Sequence, residues 1–494
     1  MRPRSKEIVL GNGIFGSTTA TKFFNDCRNG VDSVDVVTIG DSNAGSQGSG
    51  WTCGLAYAMA GAGMKIYATP IFQTADATIG NNRISGMSLA HNLSRWLGNA
   101  SAAGGNFGST VANPLTTAVT ASSAPAIELK NTLSFNQTIT PTIGSFAYNI
   151  AYVDTGVLWS SPANGPEVFM YESSSMLSGG GGGNVPLQYR LVYGKFTQSG
   201  GSFKLKVMHS TNTQVAVSGS ISTTSATSGF ATEKLDFNSP LNSGVPRPVH
   251  CAFDGYNTIG DGITGPFAAI WHSVVEIAKG YCVSSLIYVS GATSSQIADR
   301  VEGMGTTATS LMGSYLKELR ERQIAAGGSG RVVIWNNTGV NGPDTGTAFV
   351  DAMTRIRNAF STVWVALGYP KIDLAFLFSV SHPQISGSSS ENNLITQRTS
   401  ANNWAELNKN DGNNVTVVDI SKMFTYTEMT QRNMYSIFAN AQYEAHLRGM
   451  ETLPLGATGA NLFKATYTYD VNLLNNGYAI VANQIVGNLM KAST

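Results

Sequence analysis

Charge is what this sequence has least of. Aspartate, glutamate, lysine and arginine make up 12% of its 494 residues and nearly cancel, to a net +1. That share is about half the usual one, and the balance leaves no basic face for nucleic acid and no acidic tail. Cysteine is scarce too: Cys27, Cys53, Cys251 and Cys282 form no CxxC and no Cys/His cluster. No metal site is expected from them, and buried free thiols are. No run of about 18 apolar residues is present, so no membrane span is expected. Residues 1–10 are charged and lack the apolar core of a signal peptide. A workplace outside the cell would have to be reached without one.

What is plentiful is Gly, Ser, Thr and Asn, with 54 glycines, beside a 42% hydrophobic share that suffices for a substantial core. The length suits two or three domains. This polar, small-residue texture fits β-rich, loop-rich extracellular or virion proteins better than a cytosolic helical enzyme.

The chain is organised around 36–45, Val-Val-Thr-Ile-Gly-Asp-Ser-Asn-Ala-Gly. Residues 36–39 read as a short buried strand that Gly40 breaks. Asp41 and Ser42 sit at the break, and the small-residue run 45–62 leads into a helix. A serine there stands at the carboxyl end of a strand and beside a helix N-terminus, where open α/β sheets bind ligands. An ordinary strand-to-loop turn has the same composition.

Residues 1–34 read as an N-terminal arm. Its Gly11-Asn12-Gly13-Ile14-Phe15-Gly16 matches GxGxxG, but the preceding strand would be very short. Asp35 also opens the next strand, where a ribose-binding acid should close one. A Gly-rich arm is the reading kept, and no cofactor is expected. Residues 35–98 begin a βαβ pattern: strand, helix, strand at 65–72, then a helical piece at 88–97. Residues 99–126 have a linker composition.

From 127 to about 277 short apolar runs alternate with turn signals, and 203–207 (Phe-Lys-Leu-Lys-Val) alternates as a half-buried strand should. That texture predicts a β-sandwich of jelly-roll type over 99–280, linker included. The five glycines at 179–183 read as a surface loop. The α/β rhythm then resumes: strands at 281–289, 332–335, 372–380 and 415–420, with helices at 294–323, 348–360, 393–409 and 477–490. The sandwich is therefore expected as an insertion into a discontinuous α/β domain of 35–98 and 281–494.

The segments just past the strands of that domain carry a resemblance. Gly40-Asp41-Ser42-Asn43 comes first, then Val289-Ser290-Gly291-Ala292-Thr293, then Gly339-Val340-Asn341-Gly342, and finally Asp470-Val471-Asn472 before Gly477-Tyr478. This order resembles the SGNH (GDSL-type) hydrolase superfamily, over 35–98 and 281–490. The resemblance implies a flavodoxin-like, three-layer α/β/α domain and acyl-transfer chemistry with no cofactor and no metal. Ser42 would be the nucleophile, and the oxyanion would be held by backbone N–H groups of Ser42 and Gly291 with the amide of Asn341. Asn341 lacks the acid that usually comes after it, and Asn337 is an alternative.

The last block departs from the pattern. The histidine that should deprotonate Ser42 falls at Asn472, and an amide has no basic nitrogen at neutral pH. Asp470 lies two residues before that position instead of three, and capping the last helix suits it better than relaying charge. Among the six histidines, His382 ends a parallel strand and is the candidate substitute base, with His446 behind it. Two functions are open. One is an esterase or deacetylase acting on acylated carbohydrate, such as host surface polysaccharide. The other is a catalytically degenerate fold kept as a structural or glycan-binding component. A bacteriophage virion or extracellular setting, homo-oligomers and other virion proteins as partners fit the texture. Trp159, Tyr171, Tyr189 and Tyr193 could stack on sugar rings or fill the sandwich core.

Overall fold

The computed structural model describes residues 13–70 apart from 42 and 45–49, the strands of 126–288 with some of their turns, residues 292–431 apart from 340, 342–344 and 384–388, and 475–491. Ser42, Gly291, Asp470, Asn472, His446, Trp159, the glycines at 179–183 and the segment 88–97 lie outside the described residues.

Near-continuous apolar runs build a parallel sheet from β2 (Val34–Gly40), β3 (Tyr281–Tyr288), β4 (Val332–Thr338), β5 (Leu374–Val380) and β6 (Val415–Asp419). Strands buried on both faces need no polar alternation, and β2, β4, β5 and β6 are buried at every position. Successive side chains still go to opposite sides. Val37, Ile39, Ile334, Phe376 and Val417 join one core with α3 (Ser294–Gly303), α4 (Leu311–Ala325), α5 (Gly346–Ala366) and α6 (Ser389–Asn408). Val36, Trp335, Leu377 and Val418 join the other with α1 (Thr19–Arg28), α2 (Gly50–Gly61) and α7 (Asn475–Lys491).

The strand order is β3-β2-β4-β5-β6, with β1 (Ile14–Gly16) antiparallel at the β6 edge. Chain order reverses between β2 and β4: β3 lies on one side of β2, while β4, β5 and β6 lie in turn on the other. A reversal of this kind opens a crevice at the carboxyl ends of the two strands. Gly40 ends β2 there because nothing larger fits. A Cβ on it would lie 2.1 Å from the Asn337 carbonyl oxygen.

Three expectations are corrected. The arm does not run to residue 34: β1 pairs with β6, and α1 buries Phe23, Phe24 and Cys27 under the sheet. The second and third GxGxxG glycines serve that edge, since a Cβ at Gly13 or Gly16 would meet the backbone oxygen of Asp419 or Val415. The described part of the strand at 65–72 divides: Ile66 makes one parallel bridge to Tyr281 of β3, and Ala68–Pro70 pairs antiparallel with Phe267–Glu276 of the sandwich. The single helix at 294–323 is two, α3 and α4, broken where Gly305 takes φ +84° and Ser310 caps α4. Of the two uses left open for the sandwich aromatics, Tyr189 and Tyr193 take the core one: both are buried, the latter edge-on to Phe203.

The described strands of 126–276 form antiparallel sheets, the larger joining Gly229–Asn238, Pro186–Lys195, Phe267–Glu276, Ile150–Asp154 and Ala126–Lys130. Phe203, Leu205 and Val207 are buried, as their alternation predicts. Pro186–Lys195 is covered on both faces. Tyr189, Leu191 and Tyr193 point into the sandwich, while Val192 joins the α/β core and Arg190 meets α4.

Candidate active site

Three segments converge at the carboxyl edge of β2. Asp41 comes directly after Gly40 and is fully buried. Its Oδ1 accepts from the backbone N–H of Asn43 at 2.9 Å and from Asn43 Nδ2 at 3.1 Å. Its Oδ2 accepts from Nδ2 of Asn341 at 3.0 Å. Asn341 lies three residues beyond β4, and the neighbouring register pairs Asn337 with Gly40, so the two loops leave the sheet side by side. The bond from Asn341 to Asp41 therefore spans the crevice that the strand order creates.

The third segment is the first turn of α7. Tyr478 donates its hydroxyl to Asn43 Oδ1 at 2.6 Å, and its ring stands edge-on to Trp51 of α2, centroids 5.3 Å apart. The backbones of α2 and α7 touch here, because a Cβ at Gly54 would lie 2.7 Å from the Tyr478 carbonyl oxygen. Around the turn, Trp51 donates its backbone N–H to the Asn43 carbonyl, and Thr52 links Thr38 to the Ala44 carbonyl. The 41–44 turn is thus held from below by α2 and from the side by α7.

Burial pushes the Asp41 carboxyl up to about 6, against the pull of the donors from Asn43 and Asn341, which favour its charged form. A carboxylate that ionises so near neutrality is a feature of functional clefts more often than of plain turns.

Of the two asparagines read as oxyanion donors, the structure separates one from the other. Asn337 turns its Nδ2 to Ser379 Oγ on β5 at 2.7 Å, within a buried cluster that also takes the Trp335 indole N–H. It stands on the face of β4 that carries Trp335 towards α2 and α7, and its amide is engaged by Ser379. Asn341 is the asparagine that meets the residue preceding Ser42.

His382 lies two residues past the end of β5, 1% exposed. In the sheet β5 is separated from β2 by β4 alone, so this position stands about 10 Å across the edge from Asp41 at ordinary strand spacing. The peptide before it is gripped from α6: Arg398 donates to the Ser381 carbonyl at 3.3 Å and pairs with Glu391 at 2.7 Å. The same helix backs the other loop, with Gln397 against Gly339. β3 ends level with β2, Tyr288 opposite Gly40, and Gly291 comes three residues later in the chain.

Asn43 and Tyr478 are site residues that the sequence motifs alone do not single out. Asn43 stands beside Ser42, and Tyr478 opens the last helix after the block that holds Asn472. A polar residue next to the serine and a tyrosine at that helix start are the signals that point to them.

Among the described residues no group of histidine, cysteine, aspartate and glutamate is arranged to hold a metal ion, and no helix is long and apolar enough to cross a membrane.

No family model matches this chain, and no curated protein matches it. Among solved structures it is similar to a peptidoglycan O-acetylesterase, at 11% identity over 97% of this chain and 99% of that one, with a TM-score of 0.48. It is also similar to a GDSL-like lipase from Bacteroides ovatus, at 8% identity over 67% of this chain and 83% of that one, TM-score 0.20. A xylan-binding domain from Paenibacillus barcinonensis is similar over 32% of this chain and 83% of that one, at 8% identity and TM-score 0.19.

Proposed function

We propose that the chain is a serine-dependent carboxylic ester hydrolase of SGNH type, acting on acylated carbohydrate. The observation that carries this reading is the Asn341–Asp41 bond at 3.0 Å. It brings the one side-chain amide of the expected oxyanion set to the residue before the expected nucleophile, at the sheet's reversal point.

In the proposed reaction Ser42 Oγ attacks the ester carbonyl while its proton passes to a base, for which His382 is the candidate. The carbonyl oxygen gains negative charge and is held by N–H groups of Ser42 and Gly291 and by Asn341. A donor already fixed at that position needs no reorganisation when the charge forms, and commonly contributes about 3 kcal/mol. The ester C–O bond then breaks, the proton goes to the leaving sugar hydroxyl, and water releases the acyl group from Ser42 by the same steps in reverse order. Asp41 acts through Asn341, whose amide it orients.

Incubation with p-nitrophenyl acetate and with a fluorophosphonate tests the proposal. Release of p-nitrophenol that Ser42→Ala abolishes and His382→Ala sharply lowers supports it. No release and no label on Ser42 would sink it.

Asn472, where the family's base belongs, favours a second reading: a degenerate hydrolase retained as a glycan-binding or structural part, with a virion as its setting. It expects glycan binding that Ser42→Ala leaves unchanged.

A further inference from the structure

We infer that Tyr478 and Asn43 are positioning residues, through which the last helix sets the orientation of Asn341 by way of Asp41. The inference rests on the hydrolase reading for its kinetic consequence, and on the geometry alone for the coupling itself.

Donors and acceptors fix the direction of this chain. Tyr478 gives its proton to Asn43 Oδ1 at 2.6 Å. With that oxygen engaged, the amide must present Nδ2 to Asp41, as it does at 3.1 Å. The backbone N–H of Asn43 takes the same Asp41 oxygen at 2.9 Å, leaving Oδ2 for Asn341. Asp41, Asn43 and Tyr478 are at most 2% exposed, so water is a poor substitute for any of these partners.

Remove the phenolic hydroxyl and the Asn43 amide is held to its face by the Nδ2–Asp41 bond alone, so the flipped form becomes more accessible. Once flipped, it would turn an oxygen lone pair towards the carboxylate. Asp41 would lose one of its donors and its charged form would be less favourable, so the acceptor that aims Asn341 would be held by the Asn43 backbone N–H alone. Among the described residues, Tyr478 from α7 is the titratable group that touches this network, through Asn43, and His382 follows β5 two strands away in the sheet. The donors to Asp41 are amides throughout. The tyrosine ring itself is kept in place by Trp51 and by the close α2–α7 approach, so Tyr478→Phe deletes the bond and spares the packing.

The experiment uses the full chain and Tyr478→Phe. With p-nitrophenyl acetate as probe, kcat is expected to fall about tenfold, the equivalent of one lost hydrogen bond, with KM within about twofold. The acid limb of the pH profile should move upward, which loss of packing alone would not cause. Independently of turnover, the Asp41 carboxyl followed by carbon-13 NMR, assigned through Asp41→Asn, should titrate above its wild-type midpoint. Asn43→Asp keeps an acceptor for Tyr478 but puts a second carboxylate beside the first, and should raise the Asp41 midpoint further. An Asp41 titration unmoved in Tyr478→Phe overturns the coupling, with Asn43→Asp showing that the probe responds to a changed neighbour. A chain that shows the shift but never turns over ester keeps the coupling and loses the hydrolase reading.

Discussion

Arg190, on a strand of the sandwich, holds Glu318 of α4 by two parallel hydrogen bonds, Nε to Oε1 at 2.6 Å and Nη2 to Oε2 at 2.8 Å. Both side chains are at most 5% exposed, so the pair is screened little by salt and neither charge tolerates being left alone. It lies beside Val192, which belongs to the α/β core, and the strand Ala68–Pro70 crosses from one part to the other. The two parts therefore share an interior.

Arg190→Met should cost about 3–5 kcal/mol, the usual penalty for orphaning a buried charge. Calorimetry should show a lower transition, and one that is split if this pair holds the parts together. Pairing it with Glu318→Leu should recover most of the loss, because an apolar pair of similar volume replaces a desolvated one. A single variant as stable as the wild type would mean that the pair contributes nothing to docking.

The parallel strands were legible because burial on both faces writes itself as an apolar run, as in 374–380. Their order was legible only through the resemblance. The α3–α4 break at Gly305 and the Ser310 cap is hidden in the sequence, because the apolar spacing on either side reads as one helix. The docking of β1 and α1 could not be read, since an edge strand of three residues carries too few side chains for any period. In the sandwich, Tyr189 and Tyr193 alternate with Gln188, Arg190 and Val192, so period alone left open which face met water. The helix α4, which covers the Arg190 face, comes from more than a hundred positions away in sequence, and no local pattern announces it. In the site, strand-end position placed Asp41 and Asn341 together, whereas the choice between Asn337 and Asn341 needed the register of β4 on β5.

The Asp41 carboxyl gives a pH signature of definite sign. Its folded value is raised, to about 6 from 3.8, so between those values the folded protein binds a proton that the unfolded chain has released. Stability from this group is fully present below about pH 3.8 and is lost as the pH rises through about 6. The difference amounts to about 3 kcal/mol. Asp41→Asn removes the titration. Relative to the wild type it should gain about that much stability between pH 4 and pH 7, on top of a constant loss from the donor it turns towards Asn341. Urea midpoints at the two pH values measure the change, and a constant difference between the proteins would refute it.

Asn337 and Asn341 make the sharpest comparison, because they are the same residue type four positions apart with opposite surroundings. Asn337→Ala takes the amide partner from Ser379 inside a buried cluster. It should lower stability by about 1–3 kcal/mol while the folded fraction keeps its kcat. Asn341→Ala takes one donor from the buried Asp41 carboxyl and removes the amide proposed to hold the developing oxyanion. It should lower kcat by roughly 10² to 10³, with KM nearly unchanged. Asp41 should also become harder to ionise, since one of its donors has gone, so the acid limb of the profile should move up. Were the kinetic loss to track Asn337 instead, the oxyanion would have to be stabilised from the α2 and α7 face of the sheet. The crevice between β2 and β4 would then be a structural seam.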